Sequence, residues 1–73
     1  MLDISHRVKQ KRKEMNLSQA QLAVMAGMKQ QSLQAIESGE TKRPRRIVEL
    51  ASALNCDPCW LLYGDQGNQQ ADV

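Results

Sequence analysis

Apolar residues recur along the first sixty-four positions at spacings of three and four, the period of helices buried on one side. Leu2 to Glu14 reads as a first helix, with Asp3 or Ser5 available to cap it. Its apolar stripe runs through Ile4 and Val8 to Arg12, with Met15 beside it, so one cation stands where an apolar residue is expected. Asn16 and Leu17 form a short link. Ser18-Gln19-Ala20-Gln21 is a capping box, in which the serine oxygen accepts a backbone N–H and the glutamine reaches back. It opens a second helix with Leu22, Met25 and Ala26 turned inward, and Gly27 ends that helix as a left-handed residue does. A third helix is expected from about Lys29 to Glu37, with Leu33 and Ile36 inward and Gly39 as its stop.

Glu40 to Arg43 read as a loop. Pro44 forbids a helical Arg43 but suits the first position of a helix, so a fourth helix is expected to open there. Its buried face is Ile47, Leu50, Ala51 and Leu54. Asp57-Pro58 repeats the pairing of cap and proline for a short fifth helix with Trp60 and Leu61, closed by Gly64. Residues 65–73 are polar and aperiodic, which predicts a disordered tail after a single domain at 1–64. No segment alternates with strand period and no repeat is present. The expected fold class is all-α, a compact five-helix domain.

Composition narrows this picture. The chain has 73 residues, 41% of them hydrophobic, with no Phe, one Trp and one Tyr. One modest core is available, built from Leu, Ile, Val, Met and Ala. No apolar run approaches spanning length and no signal peptide is visible, so a soluble, cytoplasmic protein without membrane partners is expected. Two of the eight acids, Asp65 and Asp72, lie in the tail. Residues 1–64 therefore hold ten bases against six acids, a net of +4. The bases bunch at Lys9-Lys11-Arg12-Lys13 and at Lys42-Arg43-Arg45-Arg46, which suits a polyanion or, equally, a solvated basic surface.

The second and third helices decide between these. Two short helices about a glycine turn, with small Ala23 at the close approach and Leu22, Met28, Leu33 and Ile36 between them, have the layout of a helix-turn-helix. An ordinary helical hairpin has the same pattern. The outward row of the third helix differs from an ordinary surface: Lys29, Gln30, Gln31, Ser32 and Gln34 are amides and a hydroxyl where Glu/Lys pairs are usual. An amide presents donor and acceptor together, the pairing that reads adenine N6 and N7 in the major groove. The flanking bases suit phosphates, which anchor without reading sequence.

Three segments carry a more specific likeness: Lys29-Gln-Gln-Ser-Leu-Gln34, Thr41-Lys-Arg-Pro-Arg45, and Ala53-Leu-Asn-Cys-Asp-Pro58 followed by Trp60-Leu61. Across roughly residues 4 to 64 the chain resembles the lambdoid phage Cro and repressor N-terminal domains (the XRE-type helix-turn-helix family), those of phage 434 above all. The resemblance implies a lambda-repressor-like fold and a homodimer on a near-palindromic double-stranded operator. It implies base contacts at Gln30 and Gln31, with Lys29, Ser32 and Gln34 as neighbours. Ser18 and Gln19 would meet phosphates, Lys42 and Arg43 the sugar–phosphate chain, and Arg45 the central minor groove. Two positions depart from the pattern. Ala35 stands at a base-facing place where relatives carry Leu or Gln, leaving a methyl for thymine. Arg46 replaces a Phe near the dimer seam, which Val48 and Pro58 share. The short length is more like Cro than a two-domain repressor; a trimmed repressor domain has the same sequence signature.

Remaining candidates read as structural. Arg12 and Glu37 both fall on apolar stripes, and a charge there needs a partner, so an ion pair between the first and third helices is preferred over Arg12 as a phosphate ligand. Cys56 and Cys59 form C-x-x-C without the two further ligands of a zinc site or the βαβ setting of a redox motif, so free thiols are expected, one at least in the core. His6 is assigned to the surface, Met15, Met25 and Met28 to the core, and Trp60 to the core or dimer seam. No metal, cofactor or small-molecule ligand is expected. No nucleophile–base pair, paired acids or phosphate loop points to an enzyme. The function expected is a Cro-like repressor. An antitoxin or restriction-modification controller uses the same motif, and a pure protein-interaction module is the reading from another class.

Overall fold

A computed structural model describes residues 3–64. The expected tail at 65–73 lies outside the described residues, whereas the first helix starts at Ile4 rather than Leu2, because Asp3 is extended and serves as its N-cap. Five helices follow in order: α1 (Ile4–Glu14), α2 (Gln19–Ala26), α3 (Gln30–Glu37), α4 (Ile47–Ala53) and α5 (Pro58–Tyr63). There is no strand among the described residues.

Local chemistry sets most of the ends. Asp3 caps α1, its Oδ1 accepting from the His6 backbone N–H at 3.3 Å and the Ser5 hydroxyl at 2.6 Å. These two bonds hold the Asp3 carboxyl below its ordinary value of 3.8, the Ser5 hydroxyl most. The capping box forms at α2: Gln21 N–H donates to Ser18 Oγ at 3.0 Å and Ser18 N–H to Gln21 Oε1 at 2.8 Å. Gly27 ends α2 in the left-handed region at φ 69°, letting Met28 N–H return to the Ala23 carbonyl at 2.9 Å. Asp57 caps α5 through Cys59 N–H at 2.7 Å, with Pro58 first in the helix.

One start differs from expectation. Pro44 is buried and lies outside α4, whose N-cap position is Arg46. A helix opening at Pro44 would set Arg45 and Arg46 against the positive end of its own dipole. Beginning at Ile47 puts Glu49 in the first turn instead, the favourable sign.

The helices close a ring: α1 packs on α3 and α5, α2 on α3 and α4, and α4 on α5. Inside it lie Ile4, Val8, Leu22, Ala23, Ala26, Leu33, Ile36, Leu50, Ala51, Leu54 and Leu61, all buried. Burial of a Leu- or Ile-sized side chain is worth about 1.5–3 kcal/mol, so these residues are the main source of stability. Ile47, Met28, Trp60 and Cys56 pack against them, each partly exposed.

The methionine assignment needs correction at two places. Met25 is 52% exposed and Met15 38%; only Met28 lies against the core. At about 100° per residue, buried Leu22, Ala23 and Ala26 share one narrow arc of α2, and Met25 falls outside it. Cys56 and Cys59 are free, and burial pushes the Cys56 thiol up while Cys59 is exposed.

Candidate nucleic-acid interface

α3 is positioned from behind by Leu33, Ile36 and Glu37, all buried. Its outer side consequently presents Gln30, Gln31, Ser32 and Gln34, all exposed. Lys29 stands at the N-cap position and makes no side-chain cap hydrogen bond, so the first N–H groups of α3 lack a side-chain acceptor there. Ala35 is half-buried, and its carbonyl accepts from Glu40 N–H at 2.9 Å and Thr41 N–H at 3.1 Å. That pair of bonds folds the 41–46 segment back beside α3.

The result is an open groove of about 660 Å³ between the two segments, lined among others by Lys29, Gln31, Ser32, Ala35, Arg45 and Arg46. Residues far apart in sequence thus share one surface, with three cations around a lining that mixes polar Gln31 and Ser32 with apolar Met28, Ala35 and Ile36. Gln30 and Gln34 stand on the same helix outside the groove, one turn apart. Lys42 and Arg43 are exposed on the 41–46 segment. Lys42 lies close enough to Asp3 to lower that carboxyl further. Arg43 sits over the Tyr63 ring, 6.0 Å from its centroid.

Ser18 and Gln19 are already engaged within the fold. Ser18 Oγ accepts the Gln21 cap bond, which leaves its own proton to donate. Gln19 is half-buried, and its amide nitrogen donates inward to Glu37 Oε1 at 3.0 Å rather than outward. The same carboxylate meets Arg12, with Nε to Oε2 at 2.8 Å and Nη2 to Oε1 at 3.1 Å. Arg12 Nη1 also donates to the Leu17 carbonyl at 2.9 Å. One carboxylate therefore joins α1, α2 and α3, and Arg12 is bound internally. Of the positions expected at a dimer seam, Arg46 is exposed and 3.9 Å from Glu49, Val48 is 62% exposed, and Pro58 is half-buried.

Sequence reasoning missed Arg7 and Tyr63. Arg7 is 7% exposed; its Nε and Nη2 donate at 2.9 Å to the carbonyls of Leu61 and Leu62, closing the end of α5. Its guanidinium also lies 6.0 Å from the Trp60 ring, which Lys11 covers at 5.2 Å. Carbonyls more than fifty residues away leave no trace in the sequence around Arg7. Among the described residues no group of His, Cys, Asp and Glu is placed to hold a metal ion, and no helix is long and apolar enough to cross a membrane.

Comparison with known proteins bears on this arrangement. A helix-turn-helix family model matches residues 8–61. The HTH-type transcriptional regulator PrtR of Pseudomonas aeruginosa is 37% identical over 59 residues, which are 81% of this chain and 23% of that protein. The chain spans only 23% to 30% of the length of the curated relatives it matches first. The P22 c2 repressor, solved with a synthetic operator, superposes with a TM-score of 0.84 at 30% identity, covering 89% of this chain and all of that one. SinR of Bacillus subtilis, solved in complex with DNA, gives 0.75 at 31% identity over 81% of this chain and 97% of that one. With its five-helix ring and its α2–turn–α3 hairpin, the chain belongs to the helix-turn-helix family, in the lambda-repressor-like fold of the lambdoid repressors.

Proposed function

We propose that this chain is a sequence-specific repressor of transcription that binds double-stranded operator DNA as a homodimer. The observation that carries the reading is the exposed row Gln30, Gln31, Ser32 and Gln34 on a helix whose other side is buried. These side chains would enter the major groove, with Gln30 on an adenine and Gln31 beside it. The Ala35 methyl would meet a thymine methyl. Lys29, Ser32 and Gln34 would stand beside those base contacts, Lys42 and Arg43 would lie against the sugar–phosphate chain, the free proton of Ser18 and the second N–H of Gln19 would reach phosphates, and Arg45 would enter the minor groove.

A dimer reads two half-sites one helical turn apart, ~34 Å, which requires a near-palindromic site. Arg46, Val48 and Pro58 would form the seam. By likeness to the phage 434 regulators, each half-site would begin near A-C-A-A. Repression would be steric, the dimer covering a promoter that overlaps its site. The P22 repressor solved with a synthetic operator and SinR solved with DNA support DNA as the ligand by analogy of fold. Selection of bound sites from random duplex DNA tests the reading as a whole. Enrichment of two inverted half-sites one turn apart is expected; a pool that stays random, or a single unpaired half-site, would refute respectively the sequence reading or the dimer.

A further inference from the structure

The 41–46 segment carries four bases and no helix of its own, yet one of its cations rests on a ring. Arg43 lies 6.0 Å from the Tyr63 centroid, at the outer range of a cation–π contact. No acid among the described residues forms an ion pair with it. Tyr63 is the last residue of α5 and 56% exposed. The helix end that carries it is fixed: Arg7 donates to the Leu61 and Leu62 carbonyls, and Gly64 N–H to the Trp60 carbonyl at 2.8 Å. A long, rotatable cation on a non-helical segment thus meets a ring on a clamped support.

The kind of partner matters. A carboxylate would hold the guanidinium equally well, but it would neutralise the charge and occupy the N–H donors that a phosphate needs. An aromatic face attracts the cation while leaving those in-plane donors open. We propose that Tyr63 is a positioning residue of the DNA interface, holding Arg43 ready for a phosphodiester and so raising affinity for every duplex sequence alike. The proposal rests on the DNA-binding reading above. It assigns the work to the ring and none to the hydroxyl.

The test is binding of the full chain to a random-sequence duplex at low salt, for wild type, Tyr63→Leu, Tyr63→Phe, Arg43→Ala and the double variant Arg43→Ala/Tyr63→Leu. Tyr63→Leu is expected to bind about two- to fivefold more weakly, the range of an exposed cation–π contact. Tyr63→Phe should bind like wild type. In the Arg43→Ala background, Tyr63→Leu should change nothing further, whereas a merely structural loss would persist there. Unchanged binding by Tyr63→Leu, failure of Tyr63→Phe, or additive losses in the double variant would each overturn the proposal while wild-type binding stands. A wild type that ignores duplex DNA would instead remove the DNA reading, and this proposal with it.

Discussion

Glu37 is the residue on which most depends, because one carboxylate of side-chain exposure 5% satisfies Arg12 and Gln19 together. Glu37→Ala would remove the acceptor of Arg12 Nε and Nη2, leaving a guanidinium of 14% exposure with the Leu17 carbonyl in place of a counter-charge. Removing one partner of such a pair costs about 3–5 kcal/mol, more than the pair itself contributes over an apolar substitute. Urea unfolding should show that loss; stability near wild type would mean that Arg12 finds another acceptor. A charge on an apolar stripe signals its need for a partner in the sequence itself, which is why Arg12 and Glu37 could be singled out there. Arg7 carries no such signal, since it looks like one more base among the surface charges of α1. Asp3 sets an acid limb to the stability curve. Its carboxyl is lowered in the fold, so its contribution is full above the ordinary value of 3.8 and is lost as pH falls through the lowered one. Asp3→Asn should therefore lie closer to wild type in acid than at neutral pH, as thermal melts across that range would reveal; a constant gap would contradict it.

At the scale of elements, what was legible was what is local. The Ser18–Gln21 box, the Gly27 stop and the Asp57-Pro58 start are decided by neighbours within a few residues, and each forms where its residues stand. The start of α4 and the exposure of Met25 are decided elsewhere. The first depends on how four clustered bases meet a helix dipole; the second depends on which arc of α2 its two neighbours α3 and α4 cover. Spacing alone carries neither. Gly27 gives a clean test of the turn. At φ 69° with nothing within 4 Å of an added Cβ, Gly27→Ala pays only for its left-handed backbone. That is about 1–2 kcal/mol and should appear as a lower denaturant midpoint with an unchanged slope. An unaltered midpoint would mean that the turn relaxes at no cost.

For the whole molecule, the ring of helices turns α3 outward and folds the 41–46 segment beside it, so that bases from both ends of the motif share one groove. The amide row was legible as chemistry, because its residue types are unusual for a solvated helix. The groove was not, since it depends on the Ala35 carbonyl receiving Glu40 and Thr41. In the proposed dimer, Arg46 is the seam position that departs from the pattern of the phage domains the sequence resembles. If that dimer forms, Arg46, exposed and 3.9 Å from Glu49, would face its symmetry mate and weaken association. Arg46→Phe should strengthen self-association in sedimentation equilibrium at low salt, where the repulsion is unscreened; no change would place the seam elsewhere.

In the proposed complex, α3 reads bases through Gln30 while the basic residues hold the backbone. Binding of wild type, Gln30→Ala and Arg43→Ala to the selected site and to a set of single base-pair changes in it separates these two roles. Gln30→Ala should lose about 1–3 kcal/mol of discrimination at one base pair in each half-site and keep the rest. Arg43→Ala should weaken every site about equally and reduce the salt slope by about 0.9 for each phosphate that is no longer neutralised. If Gln30→Ala keeps the full wild-type preference at every position, α3 is not the reading helix and the account is wrong.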